Sequence, residues 1–317
     1  MEGTITLEVT GVRYEARDVS ILELRDIKGG MLPPFTPGAH LELVLPGAMR
    51  RHYSICNDPS ERDRYCIGVG LARESRGGSK YIHEQVRVGT RIETFGPRNN
   101  FPLVDSVGAS VFVAGGIGIT PIMSMIRRCE SQGKDWHLYY CSRNRYRTAF
   151  YEELKAYGSE RCTFHFDDEA EGQRLDLTRI LDHVGPTTHV YCCGPIPLME
   201  AVKNVAVHLD SEFVHFEWFT ATETRRTDDK PFFVKIHSTG ERFEVPLDAS
   251  ILDVLERHDQ LVPFSCREGL CSTCTTRVIS GIPDHRDHVL SDSDKARNDQ
   301  IVICVSRAQS EELVLDL

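Results

Sequence analysis

A chain of 317 residues with 40% hydrophobic and 26% charged side chains has ordinary globular composition, which excludes a disordered or fibrous protein. At roughly 100–200 residues per domain it is also too long for one core. The formal net charge of −10, from 37 Lys+Arg against 47 Asp+Glu, argues against nucleic acid as the main partner, because phosphate binding wants a basic face.

No apolar run is long enough for a membrane span: the best candidate, 111–126, is broken by three glycines and a proline. Glu2 stands where a secretion signal would carry positive charge. The expectation is a cytoplasmic, multidomain protein outside any membrane. In that reducing setting, eleven cysteines suggest metal or redox chemistry before disulfides.

The first 106 residues show short β-like runs at 4–12, 40–45, 65–71 and 91–95, separated by turn clusters rich in Pro and Gly, which reads as a β-barrel or sandwich, with an antiparallel barrel the expectation. Over 107–221 the rhythm changes. Apolar runs at 111–114, 136–141, 163–166 and 189–193 alternate with helical patterns at 122–129 and 150–157, predicting an α/β domain with a parallel sheet. Residues 222–231 are polar and without periodicity, which reads as a linker. The last segment, 232–317, opens on a hairpin (233–237 and 242–245), followed by a helix at 251–258 capped by Ser250, with Asp253 in its first turn. Strands are expected near 276–279, 301–305 and 313–315. This α+β segment holds 9 Lys+Arg against 15 Asp+Glu, a balance of −6 in 86 residues.

Four strings carry candidate chemistry. In Arg51-His52-Tyr53-Ser54 a cation suits a phosphate, a ring suits stacking, and a small hydroxyl can hydrogen-bond a flavin nitrogen. Arg76-Gly77-Gly78-Ser79 precedes a helix expected near Lys80, and small residues there bare backbone N–H groups for a phosphate. Each string alone could be a strand edge or a turn, but their order, ahead of a nucleotide-type domain, points to a flavin. Gly115-Gly116-Ile117-Gly118-Ile119-Thr120-Pro121 is a glycine turn after a buried strand, in which glycine lets a pyrophosphate approach and Pro121 suits a first helical position. Cys193-Gly194-Pro195 follows the strand at 189–192, at the strand end where ligands of open α/β sheets bind. Arg143 could hold a 2′-phosphate, an adenine or only solvent, while Asp167 and Asp168 would repel an extra phosphate. The scattered Cys56, Cys66, Cys129, Cys141 and Cys162 read as packing.

Cys266, Cys271 and Cys274 stand in C-x4-C-x2-C spacing, and Cys304 follows after 29 residues, the plant-type [2Fe–2S] pattern. Gly269, Ser272 and Thr273 permit the sharp turns that aim backbone N–H groups at sulfur. Cys304 is expected on a neighbouring strand. Zinc is the alternative, although structural zinc favours paired knuckles and only one close pair exists here. His285 and His288, flanked by Asp284 and Asp287, read as a solvated loop rather than a metal site.

The last segment resembles the plant-type ferredoxin domain, of β-grasp fold. The flavin and glycine strings resemble the ferredoxin–NAD(P) reductase superfamily. The order of the three modules resembles the phthalate dioxygenase reductase and vanillate O-demethylase reductase family, reductase components of Rieske-type aromatic-ring oxygenases. That resemblance implies FMN rather than FAD, since no residues are evident for an adenine half, and it implies NADH as donor. It places Ser54, Thr120 and Cys193 at the flavin–nicotinamide contact, with Phe219 covering the flavin. It further implies electron transfer from the flavin through [2Fe–2S] to a Rieske-type terminal oxygenase, with the chain as a monomer. The other readings are a general NADH–flavin oxidoreductase with oxygen, free flavin or a small molecule as acceptor, and a zinc-bearing interaction module.

Overall fold

Leu7 and Val9, Leu22 and Leu24, and Leu41, Leu43 and Leu45 recur at every second position, so each run turns one face to a common core. The computed structural model describes residues 4–73, 75–105, 108–221 and 226–317. In it these runs belong to β1 (Ile5–Ala16), β2 (Val19–Asp26), β3 (His40–Leu45), β4 (Met49–Ser54), β5 (Tyr65–Gly70) and β6 (Arg91–Arg98), with helix α1 (Gly78–Gln85) between β5 and β6. They form one antiparallel sheet in the order β4-β3-β6-β1-β2-β5. A bridge from Ile55, just past β4, to Ile67 in β5 brings the two edges together and closes the barrel. Neither β2 nor β4 is among the runs expected from the sequence; Arg51–Ser54 lie inside β4, where Arg50 and Arg51 break the apolar alternation that marks a strand.

The second sheet is parallel, built from β7 (Ser110–Gly115), β8 (Trp136–Ser142), β9 (Cys162–Phe166), β10 (His189–Cys193) and β11 (Val214–Glu217), in the order β11-β10-β7-β8-β9. Helices α2 (Ile119–Gln132), α3 (Tyr151–Lys155), α4 (Leu177–Leu181) and α5 (Ile196–Val205) connect them. The chain runs from β7 outward through β8 and β9, then returns to β10 on the other side of β7. A crevice therefore opens at the C-terminal ends of β7 and β10. Pro121 is the third residue of α2, not the first, and is tolerated because first-turn N–H groups have no intrahelical acceptor.

Barrel and parallel sheet belong to one compact unit, Met1–Phe219. Ile21, Cys56 and Phe101 share a core with Phe112, Ile126 and Leu138. Gly38 N donates to Ser124 Oγ at 3.0 Å, and Phe150 N to Glu15 Oε1 at 2.8 Å. The expected boundary at Ser106–Val107 lies outside the described residues.

The second unit is Thr220–Leu317. Its strands β12 (Phe232–Ile236), β13 (Arg242–Val245), β14 (Thr275–Ser280), β16 (Gln300–Val302) and β18 (Glu312–Leu315) form a mixed sheet in the order β13-β12-β18-β14-β16, while β15 (Pro283–Asp284) pairs with β17 (Arg307–Ala308). Helix α6 (Ile251–Arg257) buries Ile251, Leu252, Val254 and Leu255, and a capping box between Ser250 and Asp253 closes its N-terminus. A short helix, α7 (Asp292–Arg297), precedes β16. Of the expected linker, 222–225 lie outside the described residues. Its remainder is fastened to this unit: Arg226 pairs with Asp284, Asp229 with Arg286, and Arg307 donates to Lys230 O. Cys304 is not on a strand; β16 stops at Val302 and the cysteine sits in the turn that follows. No described helix is long and apolar enough to cross a membrane.

Candidate active site

Strand alternation splits the Arg51–Ser54 string between two faces. Tyr53 packs on the barrel core, and burial pushes its hydroxyl up to about 12. Arg51 lies over the start of α1: a Cβ on Gly78 would sit 2.7 Å from Arg51 Cγ, and Arg51 Nη2 donates to Arg76 O at 2.8 Å. Helix α1 begins at Gly78, after Gly77 at φ 92; the N-cap glycine has no side chain to offer, and Ser75 Oγ instead accepts from Lys80 N at 3.3 Å. A guanidinium beside the remaining N–H groups of this helix start fits a phosphate. Ser79 Oγ is spent within the loop, accepting from Ala72 N at 3.2 Å and paired with Ser75 Oγ at 3.0 Å. His52 turns the other way, its Nε2 3.4 Å from Glu42 Oε2 and its ring against His40.

The two nucleotide strings interlock. A Cβ on Gly118 would strike Cys193 O, one on Gly115 would sit 2.5 Å from Pro195 Cδ, and one on Gly194 would lie 2.9 Å from Gly115 Cα. Only glycine lets the turns after β7 and β10 pass this closely. Gly116, at φ 52, faces open space. Thr120 is buried; its hydroxyl donates to Ile117 O at 2.9 Å and its methyl abuts Gly68 of the barrel. Arg143 is exposed just beyond β8, where its carbonyl accepts Asp168 N at 3.2 Å. Phe219 follows β11 and is 36% exposed.

Sequence reading passed over Glu217, hidden in the aromatic run Phe216-Glu217-Trp218-Phe219. It ends β11 directly beside Cys193 of β10, and Ser54 Oγ donates to its Oε2 across a long 3.5 Å. Burial pushes the Glu217 carboxyl up to about 8, against the smaller opposing effect of Ser54. Burial, with Glu217 adding, holds the Cys193 thiol far above its usual range. A hydroxyl, a thiol and a carboxyl that keeps its proton near neutrality thus meet where the barrel adjoins the crevice. A single acid in an otherwise apolar terminal strand was the available signal.

In the second unit the loop 266–274 curls on itself, with Arg267, Gly269 and Ser272 at φ 59, 70 and 60. A Cβ on Gly269 would lie 2.6 Å from Val305 Cγ2. Glu268 N and Leu270 N point at Cys266 Sγ at 3.3 and 3.4 Å, and Cys266 N at Cys271 Sγ at 3.5 Å. Hydrogen bonding from Cys266 raises the Cys271 and Cys304 thiols, while Cys304 lowers Cys274. Four thiols so close cannot all ionise without a cationic group among them, and a two-iron cluster is one that four thiolates hold.

The family of 2Fe-2S iron-sulfur cluster binding domains matches residues 234–309, and the family of oxidoreductase NAD-binding domains matches residues 112–204. Vanillate O-demethylase oxidoreductase of Pseudomonas sp. (strain HR199 / DSM 7063) is 43% identical over 316 residues, spanning 99% of this chain and 100% of that one. The chain belongs to the phthalate dioxygenase and vanillate O-demethylase reductase family. Tetrachlorobenzoquinone reductase of Sphingobium chlorophenolicum is 44% identical across 99% of this chain and 98% of its own. The solved structure of phthalate dioxygenase reductase, described as modular for electron transfer from pyridine nucleotides to [2Fe-2S], is 42% identical with a TM-score of 0.74, covering 99% of this chain and 98% of that one.

A member of this reductase family is an NADH-dependent oxidoreductase with a flavin and a [2Fe–2S] centre, and the barrel, parallel α/β and β-grasp architecture agree with that. The scattered cysteines Cys56, Cys129 and Cys162 are buried, their thiols pushed up by burial to about 12, 11 and 12, which makes them poor nucleophiles. The stretch 284–288 is not the solvated loop expected from its polarity: Asp287 is 3% exposed and the His285 side chain 10%.

Proposed function

We propose that this chain is the reductase component of a two-component, Rieske-type oxygenase or demethylase, taking hydride from NADH onto FMN and passing single electrons through [2Fe–2S] to the oxygenase. Residues 1–106 then form the FMN-binding barrel, 107–221 the NAD-binding domain and 232–317 the ferredoxin module of a cytoplasmic monomer. When bound, the flavin converts a two-electron hydride into two one-electron deliveries, which the cluster relays.

The chain's own residues position these carriers. Arg51 and the amides of Gly78 and Ser79 hold the flavin phosphate, while Tyr53 lies against its ring. The turn Gly115, Gly116, Gly118 takes the pyrophosphate of NADH, with Gly194 and Pro195 alongside. Ser54, Cys193 and Glu217 surround the hydride path, Thr120 packs barrel against crevice, and Phe219 covers the flavin. The Arg51 guanidinium and the start of α1 together suit a single terminal phosphate, which supports FMN.

The observation that carries this reading is the meeting of Ser54 from the barrel with Cys193 and Glu217 from the crevice, in a chain that also bears the four-cysteine loop. One visible spectrum tests it. A flavin plus [2Fe–2S] envelope bleached by NADH is expected, and a flavin-only spectrum with one zinc per chain would sink it. Mass spectrometry of the released flavin separates FMN from FAD.

A second reading has a specific observation behind it: the equally similar tetrachlorobenzoquinone reductase makes a quinone a candidate acceptor. Salt dependence discriminates between the two. Segment 232–317 carries −6, so docking to a protein partner with a basic face should slow markedly as ionic strength rises, whereas transfer to a neutral quinone should not. A salt-independent rate with the oxygenase would remove the charge-steered encounter.

A further inference from the structure

The strap between β15 and α7 holds polar atoms that the reaction above does not use. Asp287 Oδ1 accepts Val289 N at 3.0 Å and Leu290 N at 2.7 Å, but its Oδ2 is buried without a partner. His285 Nδ1 lies 3.9 Å from that same Oδ2, and both ring nitrogens of His285 are buried and unpartnered. Native interiors rarely leave such atoms unpaired, and here three lie together.

The strap is built against both segments that carry cluster cysteines. His288 N donates to Gly269 O at 3.1 Å, in the loop between Cys266 and Cys271, and a Cβ on Gly269 would meet Asp287 Cα at 3.2 Å. Arg286 N donates at 3.1 Å to Ser306 Oγ, two residues past Cys304 and fully buried. The surrounding charges are largely matched. On the strap, Arg286 pairs with Asp284 and with Asp229 of the preceding segment, and Asp284 also pairs with Arg226. From α7, Lys295 Nζ donates to Asp287 O at 2.7 Å and stands 3.9 Å from Oδ1. In the cluster loop Arg267 is engaged by Asp253 and Glu256, and Glu268 is the loop's own acid. His285 is the protonatable group that faces the open carboxylate oxygen of Asp287, and His288 is the strap's other imidazole.

We propose that His285, backed by Asp287, takes up a proton when the cluster is reduced. The inference rests on the [2Fe–2S] reading of Cys266, Cys271, Cys274 and Cys304. One electron arrives from the flavin and converts one ferric iron to ferrous, adding one negative charge. One proton leaves solvent and bonds to an imidazole nitrogen, and no bond within the protein breaks. The imidazolium then makes its approach to Asp287 an ion pair and offsets the added charge in an interior that screens poorly. Histidine suits the task because its charge changes nearest neutrality.

The test is a redox titration of the holoprotein from pH 6 to 9, with the cluster followed by the EPR signal of its reduced form and the flavin followed separately by absorbance. The cluster's reduction equilibrium should shift up to tenfold per pH unit over part of that range, about 59 mV for one electron. His285→Gln should flatten the profile while leaving the EPR signal and flavin reduction by NADH in place. If that variant does not hold its cluster, Asp287→Asn takes its place, and its slope must flatten for the proposal to stand. A flat wild-type profile, as a bridging water without proton exchange would give, overturns the proposal with no variant needed. So does a slope that survives in His285→Gln. A reduced sample without any cluster signal overturns the [2Fe–2S] reading itself, and is told apart by that absence.

Discussion

Cys304→Ser is expected to abolish the iron–sulfur absorption and one-electron delivery while leaving flavin reduction by NADH intact. Cys304 is the fourth thiol of the proposed ligand set: it lies 8% exposed in the turn after β16, and hydrogen bonding with Cys266 and Cys274 raises it. A serine hydroxyl stays protonated near neutrality and is a poor ligand for iron, so the loss should exceed the 10–100-fold typical of outer-shell changes, about 100-fold or more in electron delivery. The flavin half should not notice. Among the described residues, the cores of barrel and parallel sheet draw on residues before Phe219, and the core around Val234, Leu252 and Ile303 draws on residues after Thr220. The second unit should also melt earlier, because a bound cluster contributes to the stability of the module that holds it. Iron content, EPR and cytochrome c reduction read the first effect, and ferricyanide reduction reads the intact flavin. Full iron and full cytochrome c activity in Cys304→Ser would remove Cys304 from the ligand set.

The contrast between Cys304 and Glu217 shows what a single chain reveals and why. Cysteine spacing is a local property, so C-x4-C-x2-C and the glycines after β7 and β10 are legible: each residue type answers a steric or chemical demand set within a few positions. The apolar runs that became β3, β7, β8 and β10 were legible for the same reason, since strands covered on both faces, as β7 and β10 are, read as short continuous apolar stretches. Strand β4 was not, because Arg50, Arg51 and His52 break the pattern; Arg50 and His52 face Glu42 across the sheet, while Arg51 donates to Arg76 O. Glu217 and Asp287 were missed or misread for one cause. An acid is assigned to solvent by composition, and only the pairing of β10 with β11, or of the strap with the cluster loop, shows it to be covered. The positioning of Thr120, whose hydroxyl serves its own turn, was likewise beyond reach from spacing.

Glu217→Gln carries the second large effect, and its sign follows from burial. In the folded protein the carboxyl keeps its proton up to about pH 8, whereas its ordinary value is 4.5. Between those values the folded state holds one proton more than the unfolded chain, so the stability this proton confers is fully present below 4.5 and is lost as pH rises through about 8. Glutamine keeps the site neutral throughout. The variant should therefore melt higher than the parent at pH 9, with the gap closing towards pH 6. With Ser54 as its neighbour, a protonated Glu217 can donate toward charge that develops at the flavin–nicotinamide contact, a donor that glutamine keeps at every pH and alanine removes; losing one such donor costs roughly 100-fold. Stopped-flow reduction of the flavin by NADH should show an inflection near pH 8 in the parent, a flat profile in Glu217→Gln, a lower and flat one in Glu217→Ala, and a slower but still inflected one in Ser54→Ala. An inflection that persists in Glu217→Gln would assign the titration to another group, and a parent profile without one would take Glu217 out of the hydride path altogether.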